Sequence, residues 1–128
     1  MGISTSGLTK PYTAGGAISK RRFLKFGAAD GVVIQATAAT DSIIGVSADL
    51  DVAIGDRVDV FMVGNIAEVD FAGTITRGGF VTSDANGKAV AAAPGAGVNN
   101  SYGGQAEVSG VSGDVGMIIV QPGAVQGA

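Results

Sequence analysis

Apolar and polar positions alternate along most of this chain in short runs, each closed by glycine, proline, aspartate or asparagine. Alternation at a period of two is the mark of a half-buried β-strand, and the closing residues are those that tight turns favour. The clearest run is 57–63, where Val58, Val60 and Met62 alternate with Arg57, Asp59 and Phe61. Residues 66–71 alternate again, with Ala67, Val69 and Phe71 on one face and Ile66, Glu68 and Asp70 on the other. Gly64-Asn65 lies between the two runs and predicts a turn, hence a hairpin. Further strands are expected at 22–26, 32–34, 43–46, 80–82, 89–93, 105–108 and 117–120. Residues 94–104 read as a long low-complexity loop, and Pro122-Gly123 as the stop of the last ladder.

Two stretches of this pattern resemble each other. In 18–36 and again in 75–92 an isoleucine stands five residues before a phenylalanine: Ile18 and Phe23, then Ile75 and Phe80. An Asp-Gly or Asn-Gly pair follows each (Asp30-Gly31, Asn86-Gly87), and such pairs accept the positive φ that hairpin turns need. Later in each half, Gly55-Asp56 and Gly113-Asp114 open the strongest apolar run. The pattern predicts one small β module used twice, with halves at 17–73 and 74–122 of a single domain, 17–122. Phe23, Ile44, Val46, Val58, Val60, Phe80, Val108, Ile118 and Val120 are the expected core.

Composition narrows the chemistry. The chain has 128 residues, enough for one domain with a modest core, and 22 of them are glycine. It has no cysteine and no histidine, so disulfides, thiolate metal sites and the commonest general base are excluded. No run approaches the ~18 continuous apolar residues of a membrane helix, and Met1-Gly2-Ile3-Ser4 lacks the features of a secretory signal. Asp49 and Asp51, with Asp41, Asp56 and Asp59 nearby, offer carboxylates to a hard cation, but without calcium-loop spacing; in loops, aspartate is ordinary turn chemistry. Gly95-Ala96-Gly97 lacks the Gly-Lys-Ser/Thr of a phosphate loop. Ser6 with Lys10, and Ser19 with Lys20, are weak nucleophile–base pairs. No catalytic residue, metal or cofactor is assigned, and the chain is not expected to be an enzyme.

Charge is uneven. Residues 1–25 carry Lys10, Lys20, Arg21, Arg22 and Lys25 and no acid, whereas the remainder holds three bases against eleven acids. Residues 1–16, rich in Gly, Ser, Thr and Ala, read as an extended N-terminal arm that reaches away from its own domain, and 123–128 as a small-residue tail. Leu8, Lys10, Pro11 and Tyr12 are candidate partner contacts on the arm, or else a lid on its own barrel. Lys20, Arg21 and Arg22 at its base suit an acidic partner surface. The alternative is a β module that binds a peptide or nucleic acid through the basic stretch Lys20 to Lys25. Against nucleic acid stand the acidic chain as a whole and the place of Phe23 in the repeat.

The chain resembles the small capsid cement or decoration proteins of tailed bacteriophages. The resemblance is carried by Ala17-Ile18, Arg22-Phe23-Leu24-Lys25, Asp30-Gly31-Val32-Val33, Ile43-Ile44-Gly45-Val46-Ser47 and Gly55-Asp56-Arg57-Val58-Asp59-Val60. It continues through Gly73-Thr74-Ile75, the run from Gly78-Gly79-Phe80 to Lys88-Ala89-Val90, and Ser112-Gly113-Asp114-Val115-Gly116. These pieces span most of 17–122. The resemblance implies an all-β, tulip- or barrel-like domain. It also implies oligomers, trimers by expectation, on the outer capsid surface of the virion, where they bind the major capsid protein and clamp neighbouring capsomers. Neither membrane nor direct nucleic-acid contact is implied.

Overall fold

The computed structural model describes residues 8–127. All its regular structure is β. The ten strands are β1 (Thr9–Ala14), β2 (Phe23–Phe26), β3 (Val32–Gln35), β4 (Ile43–Ser47), β5 (Arg57–Phe61), β6 (Ile66–Asp70), β7 (Phe80–Ser83), β8 (Ala89–Ala91), β9 (Asn99–Ala106) and β10 (Val115–Gln126). The first five close a barrel, in the order β1-β3-β2-β4-β5. The last five form a second sheet, β6-β10-β9-β7-β8.

The two units repeat one topology. Read from the outer hairpin strand, the orders are β3-β2-β4-β5-β1 and β8-β7-β9-β10-β6. Register is preserved as well: Tyr12 faces Val58 and Thr9 faces Phe61, as Val69 faces Gly116 and Ile66 faces Ile119. The isoleucines of the repeat make equivalent antiparallel bridges, Ile18 to Val52 and Ile75 to Gly110. Both hairpin turns have their glycine at positive φ, 75° at Gly31 and 74° at Gly87, a region costly for residues with a Cβ.

The repeat starts earlier than the sequence pattern indicates. β1 and β6 are equivalent, so the first unit opens at Thr9 and the second at Ile66, rather than at 17 and 74. Residues 9–14 are therefore not an arm reaching away from the domain. Their ladder lies within the barrel, antiparallel to β5 from Thr9–Phe61 to Thr13–Arg57 and parallel to β3 at Thr13 and Ala14. Pro11 is tolerated there, exposed on the barrel wall opposite Asp59. The first seven residues of the expected arm lie outside the described residues.

Three other expectations are corrected. β5 and β6 do not form a hairpin: β5 pairs with β1 and β4, and β6 with β10. The connection carries the chain from one unit to the next, and its polar groups are held on the way. Met62 N–H donates to Leu8 O, Gly64 N–H to Val120 O, and the buried Asn65 side chain to Leu8 O at 2.8 Å. The glycine-rich 99–104 belongs to β9 instead of a loop, because β10 runs past Pro122 and pairs with it as far as Gln126–Asn99. Proline cannot donate to that ladder, and the register shifts between Val120 and Gly123. Most of the expected tail is thus strand.

The core has two parts. Tyr12, Leu24, Val33, Val58 and Val60 fill the first barrel. The second cluster joins Val69, Phe71, Val81, Ile118 and Val120 of the second unit to Phe23, Ile43 and Val46 of the first. Of the expected core, Phe23, Val46, Val58, Val60, Ile118 and Val120 are buried, and Ile44 packs half-buried. Phe80 and Val108 are exposed instead. Phe23 and Phe80 occupy the same place in the repeat, but only Phe23 is covered, by the other unit. Phe80 stacks on Tyr102 with centroids 4.4 Å apart.

Candidate functional site

Within the first barrel the seam between β1 and β3 is closed by Thr13 N–H donating to Gly31 O at 2.9 Å. The equivalent groups of the second unit are not bonded to each other. Asp70 N–H donates to Arg21 O, and Gly87 O accepts from Phe23 N–H at 2.8 Å. Residues 21–23 of the first barrel are thus inserted into the seam of the second unit, which keeps one parallel bridge, Phe71 to Ala89. The insertion explains why the first unit is a closed barrel and the second an open sheet of the same plan.

The basic stretch supplies that insertion. Arg21 Nε donates to Asp70 Oδ1 at 2.8 Å, and Arg22 Nη2 to Asp70 Oδ2 at 3.2 Å. Arg21 also pairs with Asp49. Arg21 has φ 58°, where its equivalent in the repeat is Gly78 at 89°. The left-handed backbone costs a non-glycine residue energy, here offset by what the side chain gains. Burial pulls the Asp70 carboxyl upward, but hydrogen bonds from Arg21 and Arg22 and their charges outweigh it, leaving the carboxyl below its ordinary range. The bond to Asp70 correspondingly raises Arg21, against a smaller opposing effect of burial. Lys25 Nζ pairs with Asp41 at 2.9 Å.

The charges expected to meet a partner are therefore mostly engaged at home. Arg21, Arg22 and Lys25 each have a carboxylate within the chain. Lys20 is exposed, and its backbone N–H is held by Asp51 Oδ1 at 2.9 Å. Asp49 and Asp51 thus hold Arg21 and a backbone donor, and among the described residues no cluster of three metal-ligating side chains occurs. Ser19 donates its backbone N–H to Gln35 Oε1; Ser6 lies outside the described residues.

Three of the other sequence candidates gather at one end of the first barrel, whereas Leu8 lies by the connection between the units. Lys10, Pro11 and Tyr12 join Phe26 and the 27–31 turn around a groove of about 440 Å³. Tyr12 is buried and belongs to the barrel core while also lining this groove. Its ring meets Phe26 edge-on at 6.3 Å, and Lys10 Nζ stands 5.0 Å from its centroid. Phe26 and Leu8 remain well exposed.

A second surface was not indicated by the sequence pattern. On the outward face of β6 and β10, Ile66, Val115, Met117 and Ile119 are 37–47% exposed. Ile66 pairs with Ile119, and Met117 with Glu68. The stripe runs into a cleft of about 250 Å³ between the two units, floored by Phe61, Ile66, Ala67 and Met117 and rimmed by Arg21, Asp49 and Glu68. Alternation predicts these positions as outward, but strand apolarity alone does not distinguish an inner wall from an unpartnered outer one. Asp70 was likewise visible only as one polar position of a strand.

No family model matches the chain, and no curated protein matches it significantly. Its fold has a counterpart among solved structures in the head fiber gp8.5 N base of bacteriophage phi29. The TM-score is 0.65 at 18% identity, and the match covers 89% of this chain and 93% of that one. At this identity the likeness is one of fold.

Proposed function

We propose that this chain is a structural protein of a bacteriophage head: a decoration, or cement, protein. It binds the outer surface of the capsid as a trimer and stabilises contacts between neighbouring major capsid proteins. The observation that carries the reading is the shared fold, which extends over nearly the full length of this chain and of a phage head fiber base. The sequence resemblance to capsid cement proteins points the same way. In this reading the protein works by occupying a lattice position and catalyses nothing.

The geometry suits such a role. Two barrel-like units are locked by an ion-paired insertion, which gives a stiff body with surfaces at fixed separation. Rigid surfaces lose little conformational entropy on docking, which favours occupancy at many equivalent sites. Electron microscopy of the purified protein mixed with empty capsids tests the proposal. Regular density on the outer surface is expected; bare capsids at saturating protein would overturn it.

A further inference from the structure

The duplication supplies an internal control for the outer wall of each unit. Val115, Met117 and Ile119 of β10 occupy the places that Arg57, Asp59 and Phe61 hold in β5, and Ile66 the place of Thr9. In the first barrel this wall carries charge: Arg57 is exposed, Asp59 half-buried, and the two pair with each other at 3.0 Å. The same ladder in the same register therefore forms with a charged outer face. The strand pairing thus tolerates charge there, and what sets the apolar residues of β6 and β10 apart is that they adjoin in one exposed stripe.

We propose that this stripe is covered by a second copy of the chain, seated in the groove that Lys10, Tyr12 and Phe26 form at the end of the first barrel. The inference rests on the self-association included in the function proposed above. Two features match the surfaces. Each presents exposed apolar groups, Met117 and Ile119 on one and Phe26 on the other. Their charges are complementary: Glu68 lies opposite Met117 within the stripe, Lys10 borders the groove, and neither has an ion-pair partner among the described residues. Pairing them removes apolar surface from water and sets one unpaired carboxylate against one unpaired ammonium. Because stripe and groove are different patches on different units, the contact can repeat head-to-tail from copy to copy. Where the rotation between copies closes, a head-to-tail contact gives a ring, the form that the proposed trimer takes.

The chain has no cysteine, so disulfide trapping reads the contact directly. Met117→Cys and Phe26→Cys proteins are prepared separately and mixed under mild oxidation. The mixture is expected to give a covalent dimer that neither protein gives alone. The variant Val115→Arg/Met117→Asp, which copies the polar wall of the first barrel, is expected to keep the β circular dichroism spectrum. It should weaken self-association by roughly 100-fold or more, seen in light scattering as the mass of one chain. Self-linking of Met117→Cys, an unchanged assembly mass for the double variant, or wild-type protein that stays single at all concentrations would each overturn the proposal. Capsid decoration is read separately by microscopy. A single chain that still decorates capsids sinks this contact and the trimer but leaves capsid binding standing; an assembly that leaves capsids bare sinks the capsid-binding reading and leaves this contact standing.

Discussion

The ring of Phe71 occupies the space that Gly116 leaves by having no side chain; a Cβ at Gly116 would overlap the ring. The equivalent positions in the first barrel are Ala14 and Val58, both buried. The two units thus divide a similar volume in opposite ways, a large residue against none and a small one against a medium one. Close packing makes such exchanges correlated. Gly116→Val is expected to destabilise by roughly 2–4 kcal/mol through overpacking, and Phe71→Ala by about 3–5 kcal/mol through the cavity left. The double variant Phe71→Ala/Gly116→Val, which copies the first barrel, should be less destabilised than the sum. Urea denaturation of the four proteins in a double-mutant cycle measures the coupling, and additivity would refute this account.

Gly45 and Gly104 are equivalent and meet equivalent obstacles. A Cβ at Gly45 would strike the carbonyl oxygen of Phe61, and one at Gly104 that of Ile119. Backbone cannot retreat as a side-chain tip can. Gly45→Ala and Gly104→Ala are each expected to cost roughly 1–3 kcal/mol by the same measurement. A neutral result at either would show that the ladders do not approach as described.

Acid should loosen the lock between the units. Asp70 and Asp41 are both pulled upward by burial but held, on balance, below their ordinary range. For Asp70 the cause is the two arginines; for Asp41 it is the Thr37 and Ala38 N–H groups and Lys25. A carboxyl depressed on folding contributes stability that is complete above its unfolded pKa of about 4 and is lost as pH falls through the folded value. Stability is therefore expected to decline on acidification below about pH 4. Asp70→Asn should remove part of that slope and lower stability near neutral pH by roughly 1–3 kcal/mol, by leaving two guanidinium groups without their shared partner. Thermal unfolding across pH, wild type against variant, checks both; identical slopes would refute the assignment.

A chain that begins at residue 17 lacks β1. Because β1 joins β5 to β3, its removal exposes both edges and uncovers the core around Leu24 and Val58. The truncated protein is expected to lose its cooperative thermal transition or to aggregate through the open edges. Removal of residues 1–7 leaves β1 intact and is expected to preserve the transition. A fully folded protein starting at residue 17 would show that β1 is dispensable.

Much of the local structure is legible in the amino-acid sequence, because its causes are local. Alternation marks the strands, and Asp30-Gly31 and Asn86-Gly87 mark the turns, since positive φ restricts which residues fit. The repeated Ile, Phe and Gly-Asp positions reveal that one module is used twice. The opening strand is not legible, because its partners are remote in sequence: Thr9 meets Phe61, and nothing within residues 9–14 announces that contact. The basic stretch Lys20-Arg21-Arg22 reads as a docking patch until Asp70 is placed beside it. Phe23 and Phe80 show the limit most plainly. They hold the same place in the same module, yet one is sealed inside the protein and the other is open to water. Sequence determines which way a side chain leaves its strand. Whether that side is covered depends on how one unit packs on the other, and only the tertiary structure decides it.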